Sequence, residues 1–175
     1  MATTADTTFA RPPRTHTLTA LFLMLAMAAT VGTALAFQYW GGYIPCKLCL
    51  AQRTPYYVGV PLMAVALLSS ALSWPAWLTR LLLAAGALLM IYSLYLGVHH
   101  AGVEWGWWAG PTDCGAVDAG VGNSSGGILD QIDKVVPPSC DKASLRILGL
   151  SFAGWNAVAS FFLTLIALRG AATKA

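Results

Sequence analysis

Long stretches without a single charged side chain alternate with short polar gaps along this chain. No Asp, Glu, Lys or Arg occurs between Arg14 and Lys47, from Thr54 to Thr79, from Leu81 to Val103, or from Ile147 to Leu168. Each window holds the roughly 20 apolar residues that a helix needs to cross about 30 Å of hydrocarbon. Lipid cannot satisfy free backbone N–H and C=O groups, and the alternation of a membrane barrel is missing from these runs, so they predict helices. Four spans follow, near residues 17–38, 55–73, 78–98 and 147–168. Pro55 and Pro61 fall in the second span, which predicts a helix that starts late or kinks, and Pro75 marks a turn before the third.

Composition agrees with this pattern. With 57% hydrophobic and 10% charged residues, the chain has too little polar surface for an ordinary soluble domain. The expected fold is an all-α membrane protein, a four-helix transmembrane bundle in which residues 1–175 form one domain. Arg11 and Arg14 before an apolar run that ends in Ala34-Leu35-Ala36 offer a rival, a cleaved secretory signal. The run from Thr17 is about 20 residues, longer than the roughly 7–15 of a signal core, so retention as the first span is expected.

Four spans put both termini on one side and the loops at about 39–54 and 99–146 on the other. Those two outer loops carry all four cysteines, Cys46 and Cys49 in the first, Cys114 and Cys140 in the second. Disulfide chemistry assigns that side to the oxidising compartment. Basic residues do not decide the matter: Arg11, Arg14, Arg80, Arg169 and Lys174 inside are matched by Lys47, Arg53, Lys134, Lys142 and Arg146 outside. Orientation therefore rests on the cysteines.

The long outer loop reads in three parts. Trp105, Trp107 and Trp108 follow the third span, where amphipathic rings settle at the lipid–water boundary. Residues 119–127, rich in Gly and Ser, form a flexible connector by composition. Residues 128–142 alternate apolar and acidic positions and predict a short helix lying on the membrane. Asn123-Ser124-Ser125 matches a glycosylation sequon, a short motif read here as coincidence.

Cys46-Lys47-Leu48-Cys49 is the reactive candidate. A CxxC pair closes a small, easily exchanged disulfide ring, and an electropositive neighbour such as Lys47 favours the thiolate. Zinc would call for two close pairs, whereas the second pair is split by a long glycine-rich stretch, so no metal is expected. A c-type haem needs His after the second cysteine, where Leu50 stands. Two inert disulfides are the serious alternative, although a ring as small as Cys46–Cys49 constrains little chain. Arg53 fits two roles: a snorkelling anchor by position, or, four residues beyond Cys49 on one helix face, a cation beside a thiolate or a reduced cofactor. His99 and His100 are read either as interfacial residues or as aids to proton transfer, and are not counted among the catalytic set.

These residues resemble a family. Pro45-Cys46-Lys47-Leu48-Cys49-Leu50-Ala51-Gln52-Arg53 is similar to the Pro-Cys-x-Leu-Cys-x-x-x-Arg signature of the bacterial disulfide bond formation protein DsbB family, and His100 to Glu104 matches its His-x-Gly-Val-Glu stretch. The spacing by itself implies a membrane thiol-redox protein; the cofactor and partner come from the resemblance. It implies a quinone reductase of the bacterial inner membrane, with cytoplasmic termini, that reoxidises a periplasmic DsbA-like thioredoxin-fold oxidase. Its partners would be that oxidase, the quinone pool and the bilayer, with no nucleic acid. Ubiquinone is the implied acceptor and menaquinone the alternative. By position, Cys114 would receive the partner's thiolate, Cys140 would be released and exchange with Cys46, and Cys49 would face the quinone with Arg53 beside it. Lys47 and Pro55 depart from familiar members and bear on redox poise and helix entry. A dedicated thiol-oxidase partner would keep the chemistry, whereas a non-enzymatic membrane scaffold would keep only the helices and structural loop disulfides.

Overall fold

The computed structural model describes residues 13–111 and 140–173. Four long helices carry the fold: α1 (Arg14–Tyr39), α2 (Lys47–Ala71), α3 (Ala76–Glu104) and α4 (Phe152–Ala172). Each is long and apolar enough to cross a membrane. The chain is a four-helix, multi-pass membrane protein.

Two helix starts differ from the sequence expectation. α2 begins eight residues ahead of position 55 and runs through Pro55 and Pro61 without a break. Its first turn is capped by the Cys46 side chain, which accepts the Cys49 N–H at 3.3 Å, and the Leu50 N–H reaches the Cys46 carbonyl at 3.0 Å. Pro55 is fully buried among the packed helices. Such packing offsets the roughly 3 kcal/mol that an interior proline costs a helix.

α4 starts at Phe152 rather than near 147 because the preceding residues form a hairpin. Strands β1 (Arg146–Ile147) and β2 (Leu150–Ser151) pair antiparallel with Ile147 opposite Leu150. Leu148 and Gly149 take φ of 52° and 84°, the two positive values that a tight two-residue hairpin turn demands. Ser151 then caps α4 by accepting the Gly154 N–H at 3.2 Å, and the Trp155 indole N–H clamps the hairpin through the Ile147 carbonyl at 3.0 Å.

The helices pack in a ring, α1 on α2, α2 on α3 and α3 on α4, with a thinner seam between α1 and α4. α3 and α4 approach closely at Gly97, where an added Cβ would stand 2.9 Å from the Ala157 backbone nitrogen. Leu23, Met27, Tyr56, Met63, Leu83 and Met90 fill the interior, while Leu18, Phe22, Leu72, Leu81, Leu88 and Phe162 point outward. Outward leucine and phenylalanine suit a protein whose solvent is lipid.

At the end away from the cysteines, polar groups tie the helices together. Thr17 bonds Ser70 at 2.6 Å, Ser69 bonds Thr79 at 2.8 Å, and Arg80 donates to the Ala171 carbonyl at 2.9 Å. The opposite end holds the CxxC pair, Arg53, Glu104, Cys140 and the hairpin.

Candidate active site

Cys46 and Cys49 sit where the first outer loop becomes α2. Both are free thiols, and their sulfurs lie 2.8 Å apart, hydrogen-bonded to one another. Cys46 is 3% exposed. Its sulfur also meets the Cys49 N–H and lies 3.8 Å from His100 Nε2. Foremost the hydrogen bond with the Cys49 thiol, and then the imidazole, bring Cys46 down from 9.0 to about 4 against the opposing effect of burial. The N-terminal end of α2 contributes in the same sense, because its free N–H groups favour negative charge.

Cys140 is held in a disulfide and packs with Cys46 and Val103 in a small apolar cluster edged by Leu48 and Cys49. Three of the four cysteines named from the sequence are therefore gathered at one end of the bundle. Cys114, the 119–127 connector, the sequon and most of the 128–142 segment lie outside the described residues. The described end of that segment, Cys140 to Lys142, is a bend rather than a helix.

A cavity of about 300 Å³ opens beside Cys49, lined from α1 by Thr30 to Gln38, from α2 by Cys49, Gln52, Arg53 and Tyr56, and from α4 by Phe152 to Ala159. It lies at the thin α1–α4 seam. Phe37, Tyr43 and Phe152 form an edge-to-face aromatic wall, with ring centroids 5.0 to 6.0 Å apart. Arg53 donates to Gln38 Oε1 and, at 3.4 Å, to the Ala34 carbonyl, which fixes its guanidinium against the cavity. Cys49 lines this cavity and Cys46 does not. Cys46 thus packs on Cys140, while Cys49 lies between that cluster and an apolar chamber with a cation in its wall.

Several residues of the site were not singled out by sequence reasoning. Gln52, Asn156 and Tyr56 form a buried chain of hydrogen bonds: Asn156 Nδ2 donates to Gln52 Oε1 at 2.8 Å, and the Tyr56 hydroxyl donates to Asn156 Oδ1 at 2.7 Å. Ser93 and Ser160 extend it, 2.8 Å apart. A lone Asn or Gln inside an apolar span was the available signal, since such groups are costly in lipid unless paired.

The two histidines separate. His99 stacks on the Trp108 ring at 5.8 Å, an interfacial aromatic contact. His100 is 3% exposed and faces Cys46 and Glu104, not the cavity. Trp105, Trp107 and Trp108 are exposed, as anchors at a membrane boundary are. Cys46, Cys49 and His100 bring three soft donor atoms within 4.8 Å of one another. A structural zinc closes on four protein ligands, and among the described residues this set offers three.

A family model described as disulfide bond formation protein DsbB matches residues 16–169, most of the chain. Among curated proteins and among solved structures, nothing matches.

Proposed function

The chain belongs to the disulfide bond formation protein DsbB family, and from that premise, which makes it a disulfide-forming membrane oxidoreductase, we propose that it carries electrons from a periplasmic DsbA-like thiol oxidase to a membrane quinone. The observation that carries this reading is the division of labour within the CxxC pair: Cys46 packs on Cys140, and Cys49 lines the cavity with Arg53. The cysteine end faces the periplasm and both termini the cytoplasm, since disulfide exchange needs an oxidising compartment.

The cavity fits a quinone ring. It is apolar and aromatic, lies at the α1–α4 seam, and has one guanidinium in its wall, which would suit a carbonyl oxygen. When bound, a quinone supplies a two-electron, two-proton acceptor, ubiquinone being the expected one. Arg53 would orient the ring and favour negative charge at its oxygen, and the Phe37, Tyr43 and Phe152 rings would exclude water.

The thiol steps balance within the protein chain. The partner's thiolate attacks Cys114 of a Cys114–Cys140 disulfide, and the electron pair leaves on Cys140. The Cys140 thiolate attacks Cys46 of a Cys46–Cys49 disulfide, and Cys49 leaves as a thiolate facing the cavity. The partner's second thiolate then attacks the mixed disulfide at the partner's own sulfur and departs oxidised, releasing Cys114. Attack of Cys114 on Cys140 restores the loop disulfide and frees Cys46.

The test is a single turnover without partner. Purified dithiol protein mixed with a short-chain ubiquinone should consume one equivalent of quinone and form the Cys46–Cys49 disulfide, read by peptide mass spectrometry. Persistence of both thiols in folded protein, with menaquinone as well, would sink the reading.

A further inference from the structure

We propose that His100 is a further catalytic residue, whose Nε2–H holds the Cys46 sulfur as a thiolate, and that Gln52, anchored by Asn156, is the positioning residue that fixes which imidazole nitrogen carries the proton.

The assignment follows from two backbone carbonyls, which can only accept. Asn156 Nδ2 lies 3.4 Å from the Ser93 carbonyl, and Asn156 Oδ1 receives the Tyr56 hydroxyl at 2.7 Å. That orientation turns Nδ2 toward Gln52 Oε1 at 2.8 Å. Gln52 Nε2 lies 3.4 Å from the Leu48 carbonyl, which sets the same direction from the other end. Gln52 Nε2 is therefore the donor to His100 Nδ1 at 2.7 Å, and Nδ1 accepts. The imidazole proton sits on Nε2, which faces two acceptors, Cys46 Sγ and Glu104 Oε1, each at 3.8 Å.

Burial shields the contact. His100, Gln52 and Cys46 are 3%, 6% and 3% exposed, so little water competes for the Cys46 sulfur. Among the described residues, the titratable groups facing it are Cys49 from α2 and His100 from α3, and Lys47 adjoins it in sequence. Behind His100 stands Glu104, whose Oε2 has no hydrogen-bond partner. From the segment after the second loop, Cys140 is held in a disulfide and does not titrate, and α4 contributes the neutral Asn156. Cys46 is also brought down toward thiolate by the imidazole, in second place to the Cys49 thiol.

The use of this device rests on the exchange order proposed above. When Cys114 takes back Cys140, the Cys46–Cys140 bond breaks, the Cys114–Cys140 bond forms, and the electron pair leaves on Cys46. His100 Nε2–H receives that charge by hydrogen bonding, with no proton transferred. A better-stabilised leaving thiolate makes this step faster. The chain of amides also joins the exchange sulfur to the cavity wall, since Gln52, Tyr56 and Asn156 all line it.

The experiment needs neither quinone nor partner, so its failure is separable from failure of the proposed function. Full-length protein in detergent, with the CxxC pair reduced and the loop disulfide intact, is alkylated with iodoacetamide across a pH series. The Cys46 rate is read by peptide mass spectrometry. His100→Ala should raise the midpoint of the Cys46 profile by about one pH unit or more, the scale of a lost donor to a charged acceptor. His100→Gln, which keeps an N–H, should shift it less. Gln52→Leu should raise it in the wild-type background and change nothing further in His100→Ala, because Gln52 acts only through the imidazole. An unchanged midpoint in His100→Ala, or an equal Gln52→Leu shift with and without His100, would overturn the proposal. If His100→Ala loses its helical fold, His100→Gln and Gln52→Leu carry the test, and wild-type midpoints in both would overturn it.

Discussion

Replacing Arg53 separates the charge in the cavity wall from the shape of that wall. Arg53 is half-buried, and two of its five N–H groups are engaged by Gln38 Oε1 and the Ala34 carbonyl. Arg53 lines the chamber that Cys49 also lines. A hydrogen bond from a guanidinium to an oxygen gaining charge is worth about 1.5–3 kcal/mol, and each 1.4 kcal/mol is a factor of ten. Arg53→Gln should therefore lower kcat/KM for quinone roughly 10- to 150-fold. Arg53→Lys keeps the charge but cannot hold Gln38 and Ala34 with one compact ammonium, so it should fall between wild type and Arg53→Gln. The assay is steady-state quinone reduction in detergent at several quinone concentrations, with Cys46 alkylation as a control for the thiol end. A kcat/KM in Arg53→Gln within twofold of wild type would refute the assignment of the cavity.

Three further outcomes follow from packing and titration. Gly97→Ala places a methyl 2.9 Å from the Ala157 nitrogen, so α3 and α4 must part at a cost of about 1–3 kcal/mol; its thermal midpoint in detergent should fall. Gly32→Ala meets nothing within 4 Å and should rise by the usual helix preference, about 0.5–1 kcal/mol. The Cys49 thiol and then the His100 imidazole hold folded Cys46 below its ordinary value of 9.0, so between the lowered value and 9.0 the unfolded state binds the extra proton and stability of the dithiol form climbs with pH. That contribution is complete above the unfolded value and is lost as pH falls through the lowered folded value. Thermal midpoints of the dithiol protein should show the climb, and Cys46→Ser or the oxidised protein should lack it.

Much of the fold was legible because lipid imposes one rule: a run of about 20 uncharged residues must be a helix. Helix ends obey local chemistry that the rule ignores. The sulfur cap at Cys46 started α2 ahead of Pro55, and the Leu148-Gly149 turn made a hairpin of residues that hydropathy gave to the last span. The site divided in the same way. CxxC with Arg53 at the next helical turn was readable, since the spacing alone puts Cys49 and Arg53 on one face. Gln52 and Asn156 lie 104 positions apart and meet only after folding. The i, i+4 spacing of His100 and Glu104 was visible, but its direction toward Cys46 depends on how α3 is rotated against α2.

The central claim is an electron route from a thioredoxin-like dithiol through four cysteines to a quinone. Its most direct test is quinone reduction by the purified protein in detergent, with a reduced DsbA-like protein as donor and Cys49→Ser as control. Catalytic turnover in the wild type and none in the mutant is the predicted result. No turnover with ubiquinone or menaquinone, in protein shown to be folded, would contradict the account and leave the loop disulfides as structural braces.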